Sequence, residues 1–158
     1  MREIVLILDN IRSVHNVGSI FRTADAFAVS KIYCLGHTPT PLDRFGRVRA
    51  DFAKVSLGAE KTTAWEKVDD LSSLVEALKR KNYFFLALEQ GKKAVPFSEM
   101  RGGEKIALIV GNELKGVSKY LLSRCDEIVE IPMLGSKESL NVSVATGIAL
   151  AALQKSIQ

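Results

Sequence analysis

Lys105-Ile-Ala-Leu-Ile-Val110 is apolar from its second residue onward and stops at Gly111-Asn-Glu113-Leu-Lys-Gly116, a polar segment with a glycine at each end. A short apolar run that ends in turn residues fits a strand buried on both faces. Tyr83-Phe-Phe-Leu-Ala-Leu88 and Ile4-Val-Leu-Ile-Leu8 have the same character. Between such runs the period changes. From Val17 onward, Ile20, Phe21, Ala24, Phe27 and Ala28 recur at helical spacing, and Asp70 stands as the cap of a helix whose Leu71, Leu74, Val75 and Leu78 share one face. Strands alternating with helices predict an α/β fold, a mostly parallel sheet with helices on both faces.

The remaining chain fills in this alternation. Lys31-Ile-Tyr-Cys-Leu35 reads as a strand, followed by a long polar loop from Gly36 to Asp51 that holds Pro39, Pro41 and Gly46. A short helix is predicted over Phe52 to Leu57 and a strand over Thr62 to Val68. Glu89 to Gly103 reads as a loop. A short helix with Tyr120, Leu121 and Leu122 then leads to a strand from Glu127 to Ile131 and a closing helix from about Asn141 to Ser156. No linker or internal repeat interrupts the pattern, so residues 1–158 are expected to form a single domain.

Composition bounds the function. The 158 residues are 47% hydrophobic and 25% charged, which excludes a disordered chain, and the net charge of +4 permits a nucleic-acid partner without requiring one. Cys34 and Cys125 lack CxxC spacing, and His15 and His37 lack metal-ligand spacing, so no metal site is expected. The apolar run Ile4 to Leu8 is too short for a signal-peptide core, and Val144 to Leu153 is about half of a membrane span. A cytoplasmic location with reduced thiols is the expectation.

Familiar nucleotide-binding motifs fail on these residues. Gly111 to Ser118 has a Gly-x4-Gly frame, yet Val117 stands where a phosphate-binding P-loop needs lysine. The turn after the first strand, Asp9-Asn-Ile-Arg-Ser, lacks the glycines of a dinucleotide fold. What the sequence offers instead is a set of loops at the ends of the strands finishing at Leu88, Val110 and Ile131. Gly111 leaves room for a flat ligand against the backbone, or is a turn glycine. Ile131 and Met133 suit the two faces of an adenine, or ordinary core packing. Ser139 to Ser143 reads as a helix N-cap, and cap amides also face ligands.

Three segments in fixed order, Asn16-Val-Gly-Ser-Ile-Phe-Arg22-Thr, Gly111-Asn-Glu113-Leu-Lys-Gly116 and Ile131-Pro-Met-Leu-Gly-Ser-Lys-Glu-Ser139-Leu-Asn141-Val-Ser143, resemble the motifs of the SpoU-type (TrmH-like) RNA ribose methyltransferases of the SPOUT class. The resemblance spans roughly residues 3 to 155. It implies S-adenosylmethionine held by Leu88, Gly111, Ile131, Met133, Ser139 and Leu140, and a C-terminal segment threaded as a deep trefoil knot. It also implies a homodimer packed through the first and last helices, for which the apolar stretch Val144 to Leu153 is suited. Many relatives carry an added N-terminal RNA-recognition domain, and none is expected here, which leaves the choice of RNA open.

The same resemblance assigns Arg22, Glu113, Asn16 and Asn141 to catalysis. Arg22 follows Phe21 and is expected near the apolar stripe of the first helix. A guanidinium stays protonated in proteins, so its expected role is to position the target phosphate and stabilise alkoxide charge, with transient proton acceptance left open. Glu113 would fix that guanidinium or brace the second loop against backbone amides. Asn16 opens the first helix, where it is either simply a cap or also shapes the RNA side of the site. Arg44, Arg47, Arg49 and Lys54, with Phe45 and Phe52 interleaved, suit either an RNA-contacting loop or a solvated charge run. The resulting expectation is methyl transfer from S-adenosylmethionine to a ribose 2′-hydroxyl of tRNA or rRNA. The alternatives are a base-methylating relative and a catalytically silent RNA-binding module.

Overall fold

Ile4, Leu6 and Leu8 point to one side of the first strand and Val5 and Ile7 to the other, and all five are buried. β1 (Glu3–Asp9) is therefore covered on both faces, as a central parallel strand must be. The computed structural model describes residues 1–155. Its other strands are β2 (Lys31–Leu35), β3 (Trp65–Val68), β4 (Phe84–Leu88), β5 (Val95–Pro96), β6 (Lys105–Gly111) and β7 (Glu127–Glu130). They form a seven-stranded sheet in the order β3-β2-β1-β6-β4-β7-β5, with every ladder parallel.

Helices cover both faces, as the alternation predicts. On one side lie α1 (Val14–Ala26), α2 (Ala50–Ser56) and α6 (Val142–Lys155), whose Val17, Ile20, Phe21, Phe52, Leu150 and Leu153 share a core with Ile4, Leu6, Leu108 and Val110. On the other lie α4 (Leu71–Arg80) and α5 (Lys119–Arg124), where Val75, Leu78 and Leu121 pack with Val5, Ile7, Phe85 and Ile109. The cap of α4 is Asp70, whose carboxylate accepts the Ser73 amide at 3.0 Å.

The order places the loops. β1, β2 and β3 run outward in one direction, while β6 returns to lie between β1 and β4, and β7 between β4 and β5. The reversal between β1 and β6 is a topological switch point, and open α/β sheets bind ligands at the carboxyl ends of strands beside such points.

Several expectations need correction. The strand expected from Thr62 starts only at Trp65, because Thr62 ends α3 (Ala59–Thr62), Thr63 caps it and Ala64 links it to β3. The segment Glu89 to Gly103 contains β5 and a 3₁₀ turn at Phe97–Glu99, elements too short to leave a periodic signal. The loop after β2 is present but shorter than expected, since α2 begins at Ala50; within it Asp43 accepts the amides of Phe45 (2.8 Å) and Arg47 (3.0 Å), and Leu42 bridges to Val48. Phe52 is no part of a solvent-facing loop. It is fully buried and meets Phe21 edge-on, with ring centres 5.0 Å apart. Ser156, the expected end of the closing helix, lies outside the described residues.

Candidate active site

Beyond the carboxyl ends of β4, β6 and β7 lies a cleft of about 370 Å³. Leu88, Gly111, Ile131, Met133, Ser139 and Leu140, the six residues expected around a cofactor, all line it. Its volume falls within the range of small-molecule sites, and apolar Leu88, Ile131, Met133 and Leu140 beside open backbone suit a flat heteroaromatic ring.

The glycine at the end of β6 has a tighter reason than ligand access. A Cβ on Gly111 would lie 2.3 Å from the Gly116 carbonyl carbon and the Val117 nitrogen, so the returning backbone occupies the place of a side chain. That return is a closed turn. Asn112 and Gly116 exchange both backbone hydrogen bonds (3.1 and 2.9 Å), and the Asn112 side-chain oxygen accepts the amides of Leu114 and Lys115, each at 2.9 Å. Two carboxylates that the motif reading did not single out hold its far end. Glu89 accepts the Val117 amide at 2.8 Å, and buried Asp9 accepts that of Ser118 at 2.7 Å. Their sequence signal is an acid at the end of a buried strand, a group that must find donors.

The tip of the turn reaches α1. Glu113 accepts hydrogen bonds from the Arg12 amide (3.1 Å), the Ser13 amide (3.2 Å) and Asn16 Nδ2 (3.1 Å). Free amides at a helix start favour an anion. Burial works to raise the Glu113 pKa, but hydrogen bonds from its own amide, Arg12, Asn16 and Ser13 outweigh it and hold the carboxyl below its ordinary value. Of the two arrangements open to Glu113, the bracing one is formed, and the ion pair with Arg22 is not.

Asn16, 8% exposed, links this contact to the third segment. Its side-chain oxygen accepts from Asn141 Nδ2 at 3.0 Å, while Asn141 Oδ1 accepts the Ser143 amide at 2.9 Å and so caps α6. The cap of α1 is Ser13, not Asn16: the Ser13 hydroxyl accepts the Asn16 amide at 3.1 Å, leaving the Asn16 side chain free to bridge Glu113 and Asn141.

Arg22 stands apart from this network. It is exposed on the outward face of α1, not at the edge of the apolar stripe, and has no hydrogen bond or ion pair among the described residues. Six residues of helix put it roughly 9 Å along the axis from Asn16. In the loop after β2, Arg47 pairs with Asp43 and Arg49 with Asp51, each at 2.8 Å, while the guanidiniums of Arg44 and Arg47 lie over the Phe45 ring at 4.7 and 5.0 Å. Both thiols are pushed up to about 12 by burial, with Lys67 opposing at Cys34 and Asp126 adding at Cys125. No cluster of metal-ligating side chains occurs among the described residues, and no helix there is long and apolar enough to cross a membrane.

Comparison with known proteins converges on one group. The model of the SpoU rRNA Methylase family matches residues 3–151. The 23S rRNA (guanosine-2′-O-)-methyltransferase RlmB of Salmonella typhi is 35% identical over 150 residues, a match covering 94% of this chain and 58% of that protein. This chain thus spans little more than half the length of that relative. The A. aeolicus TrmH/SpoU tRNA modifying enzyme superposes with a TM-score of 0.84 at 32% identity, over 98% of this chain and 75% of that one. An AdoMet-bound rRNA methyltransferase from Sinorhizobium meliloti shares the fold with a TM-score of 0.85 at 24% identity, covering 99% of this chain and 57% of the other.

Proposed function

Because this chain belongs to the SpoU rRNA methylase family, we propose that it transfers a methyl group from S-adenosylmethionine to a ribose 2′-hydroxyl of tRNA or rRNA. The observation that carries this reading is the meeting of the three sequence segments at one sheet edge, where Glu113, Asn16 and Asn141 join in a hydrogen-bonded line beside the cleft of β4, β6 and β7. The relative from Salmonella typhi is named for 2′-O-methylation of a guanosine in 23S rRNA, and the A. aeolicus structure for tRNA modification.

When bound, the cofactor supplies a sulfonium-activated methyl group. The chain has to hold it, align the ribose oxygen with it and stabilise charge on that oxygen. Ile131 and Met133 would take the two faces of the adenine, and backbone groups around Leu88, Gly111, Ser139 and Leu140 would hold the rest. The line Glu113–Asn16–Asn141 fixes the starts of α1 and α6, so the polar groups facing the reacting centre are preorganised. Arg22 engages the RNA phosphate and stabilises alkoxide charge. Neither Cys34 nor Cys125 takes part: both lie outside the three segments, so a covalent base adduct has no nucleophile there.

The assembly follows from α1 and α6. Val144 (50% exposed) and Ile148 (43%) lie one turn apart on the outer face of α6, and Arg22 is on the outer face of adjacent α1. We assign this surface to an isologous homodimer, which would bring the outward Arg22 to a site shared between subunits. The late insertion of β6 and β7 between earlier strands is the topology from which a C-terminal trefoil knot would be built. Free cysteines suit a reducing cytoplasm.

The test is single-turnover methyl transfer to bulk unmodified tRNA and rRNA, with nuclease digestion and mass spectrometry to place the methyl. A methyl on the ribose 2′-oxygen is expected. A methyl on a base supports the base-methylating alternative, and cofactor binding without transfer to any RNA supports the silent module.

A further inference from the structure

The turn Gly111 to Gly116 has a second side. There a cavity of about 750 Å³ is lined by Asp9, Asn10, Arg12, His37, Asn112 and Lys115, and it shares Asn112 and Gly116 with the cofactor cleft. One thin wall of chain therefore separates the two.

The floor of this cavity is fixed from three strand ends. Asn10, at φ 56°, donates from Nδ2 to Asp9 (3.1 Å), accepts the His37 amide on Oδ1 (2.9 Å) and accepts Asn112 Nδ2 on its carbonyl (2.7 Å). Gly36 must be a glycine for this contact, because its φ is 56° and a Cβ there would lie 2.0 Å from Asn10 Oδ1. The binding groups above the floor are the guanidinium of Arg12, the ammonium of Lys115 and the imidazole of His37. The side chains of Arg12, His37 and Lys115 have no partner among the described residues, and all three are exposed. Asp9 is the one acid in the lining. It is 3% exposed and both its oxygens are engaged, by Asn10 Nδ2 and the Ser118 amide. The cavity thus has a rigid polar floor, unpaired positive groups and no free carboxylate, which is the chemistry of an anion site.

We propose that this pocket binds a phosphodiester of the RNA strand next to the ribose being methylated, with Arg12 and Lys115 as the charged contacts and His37 as a hydrogen-bonding one. The assignment rests on the ribose-methylation reading: the shared wall of Asn112 and Gly116 is thin enough for a strand with its ribose over the cofactor cleft to place a flanking phosphate in this pocket. Phosphate contacts of this kind set the register of the strand and leave base choice to other groups.

The experiment measures binding of a labelled, mixed-sequence single-stranded RNA by fluorescence anisotropy over a salt series, with S-adenosylhomocysteine present. Arg12→Gln and Lys115→Gln should each weaken binding roughly fivefold or more and reduce the slope of log affinity against log salt by about one. Calorimetric affinity for S-adenosylhomocysteine should not change. Arg80→Gln, at the far end of α4, removes the same charge away from the pocket and should leave both binding and slope as in the native protein. A double Arg12→Gln, Lys115→Gln variant with native affinity and slope would overturn the proposal, as would an equal effect of Arg80→Gln. The readout involves no methyl transfer. Loss of the pocket effect with ribose methylation intact removes only this inference, and a pocket effect without ribose methylation removes only the proposed reaction.

Discussion

Asn141 Nδ2 donates to Asn16 Oδ1 at 3.0 Å although 125 positions separate them, and this one bond ties the start of the last helix to the first turn of the first. Asn16 gives its own Nδ2 to Glu113, so one buried amide satisfies partners from both other segments. Such a network is stiff when complete and costly when broken, because each loss strands a polar group.

The two asparagines should therefore be energetically coupled. Asn16→Ala leaves Glu113 and Asn141 each short of a partner and should cost about 2 kcal/mol. Asn141→Ala should also cost about 2 kcal/mol, since its cap of α6 goes together with the bond to Asn16. In a double-mutant cycle by urea denaturation the two costs should fall short of adding by about 1 kcal/mol. Simple additivity would show that the bond contributes nothing.

Gly111→Ala tests a clash of backbone against backbone. The added Cβ would meet Gly116 and Val117 at 2.3 Å, and both are pinned, the one by Asn112 and the other by Glu89. Nothing flexible can yield, so the cost should reach the upper end of overpacking effects, about 3 kcal/mol, and the turn should shift into the cleft. Denaturation would show the destabilisation and calorimetry a loss of S-adenosylmethionine affinity. A variant with native stability would mean that the turn does not pack as described.

The carboxyl of Glu113 gives a pH signature. Its folded-state pKa is depressed, so its stabilising effect is present above its ordinary value near 4.5 and is lost as pH falls through the lower folded-state value. Glu113→Gln should therefore be less stable than the native protein at neutral pH, by about 1 kcal/mol because solvent reaches the group, and the difference should shrink toward acid. A difference that stays constant from pH 7 to roughly pH 3 would contradict the bracing role.

The sheet was legible because its central strands are long, apolar on both faces and bounded by turn residues. Ile4 to Leu8 and Lys105 to Val110 are of this kind. The elements that escaped are those too short for a period to show, α3 and β5 among them. The cleft was legible as three strand ends, but Glu89 and Asp9 were not, since their partners are backbone amides made available only by the closed turn. The cap that its position at the start of α1 offered to Asn16 belongs to Ser13, three residues earlier, and the Asn16 side chain bridges Glu113 and Asn141 instead. Arg22 shows the limit of helical spacing. Its neighbour Phe21 is fully buried, yet a turn of 100° per residue carries Arg22 out to solvent.

That outward position makes Arg22 the sharpest test of mechanism. It contacts neither the cleft nor Glu113, so its removal should leave stability and S-adenosylmethionine affinity nearly unchanged. If it stabilises charge on the ribose oxygen and holds a phosphate, Arg22→Ala should still reduce single-turnover methyl transfer by about a hundredfold or more, the usual cost of losing one preorganised donor. Arg22→Lys should recover only part of that rate, because an ammonium keeps the charge without the fork geometry. Cys34→Ser and Cys125→Ser serve as the contrast. Both thiols are pushed up to about 12 by burial and stay protonated at working pH, so neither change should slow the chemical step. Near-native transfer by Arg22→Ala, or a strong loss on replacing either cysteine, would require a different mechanism.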